Sequence, residues 1–212
     1  MSNRMRLATF KRNNKLGYGA ITDTGVVDLS ARFGAQYAGL REVIEAGALP
    51  ELAEAAKDQP DDFGLEQISY EIPIQNPEKL ICVGVNFPSR NEEYKDGQEA
   101  PPNPSLFIRF PRSFTGHDQP LVRPHASPQL DYEGEIVLVI GKGGRRISQD
   151  DAYDHIAALT LCNEGTIRDW VRHAKFNVTQ GKNWDNSAAM GPWLVPFTDA
   201  SQLDDARIIT RV

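Results

Sequence analysis

The run Leu130-Asp-Tyr-Glu-Gly-Glu-Ile-Val-Leu-Val-Ile140 constrains the fold more than any other part of the chain. After Glu135 every position is aliphatic, so the segment reads as a β-strand with two apolar faces, covered on both sides in a layered protein. Alternation places Asp131, Glu133 and Glu135 on one face with Val137 and Val139, and Tyr132, Ile136, Leu138 and Ile140 on the other. The carboxylates then stand at the mouth of a buried strand, where like charges disfavour joint ionisation. A hard divalent cation with oxygen ligands is the leading compensation. An exposed strand start carrying a solvated acidic face fits the pattern equally well.

A chain of 212 residues, 40% hydrophobic and 25% charged, can bury one large core or two unequal ones. Its net charge of -6 argues against generic nucleic-acid binding, which calls for a basic face. Cys82 and Cys162 lie in apolar sequence without C-x-x-C spacing, so reduced, buried thiols and a cytoplasmic setting are expected. No run approaches a signal peptide core or a membrane span.

Residues 4–10, 18–22 and 26–29 read as short strands separated by turns at Asn13-Asn14 and Asp23–Gly25, which predicts a small antiparallel sheet. Leu40, Val43 and Ile44, then Leu49, Leu52, Ala53 and Ala56, suit two amphipathic helices separated at Gly47 and packed on that sheet, with Pro50 opening the second. The expected organisation is a small α+β domain over 1–72, a Pro-rich linker over 73–78 and a second domain over 79–212. In the second domain a strand opens at Lys79, a polar loop spans 86–104 and a further strand covers 105–110. A helix over 150–158, capped by Ser148, and a strand over 158–162 follow, delivering Asn163 and Glu164. The final residues, 206–212, alternate like a strand and stop there.

Val83-Gly-Val-Asn86, Leu130-Asp-Tyr-Glu-Gly-Glu135, Asn163-Glu-Gly-Thr-Ile-Arg-Asp169, Gly181-Lys-Asn-Trp-Asp185 and Gly191-Pro-Trp193 occur in an order and spacing that resembles the fumarylacetoacetate hydrolase family from about residue 79 onward. The resemblance implies a mixed α/β chain: a β-roll catalytic domain, usually homodimeric, preceded by a small α+β domain. If the chain ends at Val212, the closing part of that roll is missing. It also implies a magnesium site, with manganese or calcium as alternatives, held by Glu133, Glu135 and Glu164. The last replaces the usual aspartate and adds one methylene. Lys182 falls at the family's active-site lysine, to contact substrate oxygen or move a proton. Asp185 matches an aspartate that orients this lysine or binds substrate, with a turn or capping role as the alternative.

The loop after Asn86 departs from the family pattern. Hydrolytic members carry a histidine followed three residues later by glutamate, whereas this chain has Arg90 and Glu93. Arginine stays protonated and cannot be that base, but its fork can hold a substrate carboxylate. Arg90 is therefore expected to anchor a distal carboxylate and Glu93 to supply acid–base chemistry; an exposed loop without a catalytic part is the alternative. His117, His125 and His173 are other candidates for the missing base: His125 foremost because it precedes the metal strand, with a turn histidine as its commoner identity, and His173 more readily part of a solvated basic face with Arg168, Arg172 and Lys175; His155 reads as a helix-surface residue and Arg168 and Asp169 as structural support. The expected reaction is isomerisation or tautomerisation of an enolisable 2-oxo acid or hydroxymuconate-type dicarboxylate, which needs proton relocation but no attacking water. Carbon–carbon hydrolysis of an acylpyruvate or diketo acid is the first alternative. An inactive or partner-dependent homologue is the second.

Overall fold

The computed structural model of the chain describes residues 5–86, 103–173 and 177–211. Strands β1 (Leu7–Arg12) and β2 (Lys15–Ile21) form a hairpin turned by Asn13 and Asn14, at φ 48° and 61°. Two left-handed residues match the twist of flanking strands, and asparagine tolerates that conformation. Strand β3 (Gly25–Asp28) pairs antiparallel with β2. Helices α1 (Ser30–Phe33), α2 (Leu40–Glu45) and α3 (Leu49–Ala56) follow, the last carrying Pro50 in its first turn. Leu40, Val43, Ile44 and Leu52 pack on Leu7, Tyr18, Val27 and Leu29 in one buried cluster. At about 1.5–3 kcal/mol for each large aliphatic side chain buried, this contact fixes the helices on the sheet. Strand β4 (Phe63–Gly64) then closes on β3, and β5 (Ser69–Tyr70) on β1.

The later strands are β6 (Ile81–Gly84) and β7 (Ser105–Ile108), which form their own antiparallel pair, then β8 (Phe114–Thr115), β9 (Leu130–Asp131), β10 (Gly134–Ile140), β11 (Ile156–Asn163) and β12 (Thr166–Ile167). Two short helices, α4 (Arg168–Arg172) and α5 (Thr179–Lys182), precede β13 (Ala188–Pro196). Among the described residues the main sheet runs β10-β11-β13-β1-β2-β3-β4, with β5 beside β1 and β8 beside β13. Its pairs are antiparallel except β8 with β13. Leu7 opposite Leu194 joins the early strands to the later ones, and Leu7, Leu194 and Ala158 share the core cluster under the helices. Among the described residues no helix is long and apolar enough to cross a membrane.

Three local expectations are corrected. The acidic strand is not continuous: it breaks at Tyr132 and Glu133 into β9 and β10, because β9 pairs with β12 while Glu133 bonds to the end of β11. Nor is its second apolar face covered among the described residues, since Ile136, Leu138 and Ile140 are 36%, 46% and 59% exposed. Strand β10 is terminal in the sheet, and the described core packs only on Val137 and Val139. Finally, no α-helix forms over 150–158. Residues Ala152–His155 make one 3-10 turn, and β11 begins at Ile156, hydrogen-bonded to β10 on one side and β13 on the other. Pairing on both edges outweighs the local helical pattern. His155 is consequently buried, its Nδ1 2.7 Å from the Lys142 carbonyl oxygen.

Candidate metal and substrate site

The site is assembled where β11 ends. Asn163 Oδ1 accepts the Glu133 amide at 3.0 Å, and the Glu164 amide donates to the Glu133 carbonyl at 2.7 Å, so two distant acidic segments are stitched backbone to backbone. The next residue must be glycine: a Cβ on Gly165 would lie 2.0 Å from the Ser187 carbonyl oxygen. Gly181 is equally tight, because a Cβ there would meet Val171 Cγ2 at 2.3 Å. Its absence lets α5 close on α4, with Lys182 in the last position of α5.

Lys182, only 5% exposed, donates from Nζ to Glu133 Oε2 at 2.7 Å and to Glu164 Oε2 at 3.0 Å. Glu133 Oε1 receives Arg168 Nη1 at 2.7 Å and the Thr166 hydroxyl at 3.0 Å, while Arg168 Nε reaches Asp131 at 2.8 Å. Glu164 Oε1 receives the fully buried Arg109 guanidinium at 3.0 Å. Burial works against the charge on Glu133, yet Lys182, Arg168 and Thr166 together hold its carboxyl below the ordinary range. Burial, reinforced by Glu133, holds Glu164 above it despite Lys182 and Arg109. Glu135 is pushed up to about 7, first by burial and then by repulsion from Glu133 and Glu164.

Three carboxylates thus feel one another, and the cation drawn between Glu133 and Glu164 is an ammonium. Among the described residues no group of three or more His, Cys, Asp or Glu side chains is gathered as metal ligands would be. The donor chemistry nevertheless suits a hard divalent ion: the donors are carboxylate oxygens, and Glu135 carries a repulsion that nothing nearby fully offsets. A cavity of about 440 Å³, lined by His117, Tyr132, Glu135, Cys162, Asn163 and Met190 among others, reaches the cluster through Glu135. Cys82 and Cys162 are free thiols, and burial followed by Glu164 raises both, Cys82 to about 12, which leaves them poor nucleophiles.

Glu133, Glu164 and Lys182 are therefore brought into contact and Glu135 beside them. Asp185 is not: it points outward to Arg112 at 2.9 Å, both side chains exposed. Arg90 and Glu93 lie outside the described residues. His117 is the histidine on the cavity beside Glu135, whereas His125 and His173 are exposed and do not line it. Arg109 and Thr166 escaped the sequence reading. The available signal for Arg109 was a lone arginine inside the apolar run Ser105-Leu-Phe-Ile-Arg-Phe110.

Residues 79–212 match the family model of the fumarylacetoacetate (FAA) hydrolase C-terminal domain. The chain belongs to this family. Within it, the chain is similar to oxaloacetate tautomerase YisK of Bacillus subtilis, 38% identical in an alignment 171 positions long that covers 76% of this chain and 56% of that protein. The mitochondrial oxaloacetate tautomerase fahd2 of Xenopus laevis is 32% identical over 90% of this chain and 61% of its own length. The chain thus spans little more than half the length of these fumarylacetoacetate hydrolase family relatives. A crystal structure of a probable 2-hydroxyhepta-2,4-diene-1,7-dioate isomerase from Mycobacterium abscessus superposes with a TM-score of 0.69 at 29% identity, covering 93% of this chain and 66% of that one.

Proposed function

We propose that this fumarylacetoacetate hydrolase family member is a divalent-metal enzyme that isomerises or tautomerises an enolisable 2-oxo acid or hydroxymuconate-type dicarboxylate. The observation that carries the reading is the buried Lys182 ammonium shared by Glu133 and Glu164, with Glu135 facing a cavity beside them. The similarity to oxaloacetate tautomerases and to a dienedioate isomerase supports the same class. Glu133, Glu135 and Glu164 would hold the ion, magnesium first and manganese or calcium as alternatives. When bound, such an ion supplies Lewis-acid charge to the ketone and carboxylate oxygens of the substrate.

Lys182 has the chemistry for the remaining work. A buried ammonium can donate to the oxygen that gains charge as the substrate enolises, or move a proton to and from the neighbouring carbon. Glu93 is proposed as the acid–base partner and Arg90 as the anchor of a distal carboxylate. Tautomerisation takes one proton from carbon and returns one to oxygen, or the reverse, so no water need be activated. The chain is further proposed to work as a homodimer, which the exposed apolar faces of β6–β7 and β10 support.

A substrate panel tests the reading. Interconversion of enol and keto oxaloacetate, or of a hydroxymuconate dicarboxylate, with loss of turnover in EDTA, is the expected result. Release of two products from an acylpyruvate without any isomerisation would replace it with carbon–carbon hydrolysis.

A further inference from the structure

Arg109 is a fully buried charged side chain of the site to which the proposed chemistry gives no work. It directly follows β7, is 2% exposed, and its guanidinium is closed off from solvent. From there it binds several separate pieces of the fold. Nη1 donates to Glu164 Oε1 at 3.0 Å and to the Gly165 carbonyl at 3.1 Å, Nε donates to Ser113 Oγ at 3.2 Å, and Nη2 to Ser187 Oγ at 3.4 Å. Its Cζ stands 4.6 Å from the centre of the Phe114 ring. Only a planar, five-donor fork can serve so many acceptors at once; an ammonium cannot reproduce the arrangement.

Glu164 is consequently held at both oxygens, Oε1 by Arg109 from behind and Oε2 by Lys182. We propose that Arg109 is a positioning residue acting through Glu164: it reserves Oε1 and so aims Oε2, the oxygen that takes Lys182 here, at the side facing Glu133 where a cation would be held. This rests on the metal role proposed above for Glu164. A glutamate side chain has several staggered rotamers, so a clamp on Oε1 narrows the directions in which Oε2 can point. Carboxylates and imidazoles that ligate metals are themselves hydrogen-bonded, and loss of those partners costs about 10–100-fold in affinity.

A double-mutant cycle measures the coupling directly. Manganese affinity is determined by calorimetry for the wild-type chain, Arg109→Lys, Glu164→Asp and the double variant, with urea midpoints recorded for each. Arg109→Lys keeps the charge but loses the fork, and should weaken manganese about 10-fold. In the Glu164→Asp background the shorter carboxylate no longer spans Arg109 and Lys182, so the same change should cost less than about threefold. Equal losses in both backgrounds, whatever the urea midpoints do, would overturn the inference and leave the metal reading intact. A folded wild-type chain that binds no manganese would overturn both. Should Arg109→Lys fail to fold, Ser187→Ala, which removes one guanidinium acceptor, replaces it in the same cycle with the same criterion of unequal against equal losses.

Discussion

The Lys182 ammonium lies 2.7 Å from the Glu133 carboxylate across 49 positions of sequence, and the two are tied in a site that is largely closed to water. The same ammonium reaches Glu164, so one side chain is shared by two of the three carboxylates, with Arg168 on Glu133 and Arg109 on Glu164 supplying further positive charge. Breaking a buried pair from one side leaves charge without compensation, which is far more costly than the pair is worth.

Lys182→Met is therefore expected to destabilise the metal-free protein by about 3 kcal/mol. Added magnesium should recover more stability in this variant than in the wild type, because it replaces a missing cation. Thermal unfolding with and without magnesium reads both effects, and turnover should be lost in the variant under either condition.

Glu135 sets a pH dependence whose sign can be worked out. Its carboxyl is raised from 4.5 to about 7, so in the metal-free fold its ionisation is disfavoured and its contribution to stability is present at low pH and lost as pH rises through about 7. Glu135→Gln should leave the melting temperature unchanged near pH 4 and raise it above wild type at pH 8. Divalent affinity moves the other way, strengthening in the wild type from pH 6 to pH 8 as the carboxylate forms, and weak throughout in the variant.

Asp185 and Arg112 form an exposed pair, and such pairs contribute about 0–1 kcal/mol. Asp185→Ala should leave both the urea midpoint and manganese affinity at wild-type values. A tenfold loss of affinity would show that Asp185 orients Lys182 after all.

The outward face of β10, with Leu138 46% exposed, is the natural place for a second copy to pack. Light scattering after gel filtration should give a dimer mass for the wild type and a monomer mass for a still folded Leu138→Lys, because Leu138 joins no core cluster among the described residues. A Leu138→Lys protein that stays dimeric would place the interface elsewhere.

How legible these relationships were in the sequence depended on what kind of contact made them. Asn13-Asn14, Gly47 and Pro50 act through local backbone preference, so the hairpin and the helices after it follow directly from the residues. Glu133, Glu164 and Lys182 were readable as an ordered set of motifs, because each sits beside glycine in a recognisable run. Arg109 was not, since a single arginine in an apolar run gives no sign of the carboxylate 55 positions later that justifies its burial. The failed helix over 150–158 and the uncovered face of β10 share one cause. Periodicity reports what a segment could bury, whereas the ladder partners of β11 and the layer over β10 are decided by distant chain.

The central claim is that Glu133, Glu135 and Glu164 hold a catalytic divalent ion, and a manganese titration followed by calorimetry tests it most directly. The account predicts a single saturable site in the wild-type chain, at least tenfold weaker in Glu133→Gln and in Glu135→Gln, with all turnover lost in EDTA. A folded wild-type chain that takes up no manganese, or variants that bind it as tightly as wild type, would contradict it.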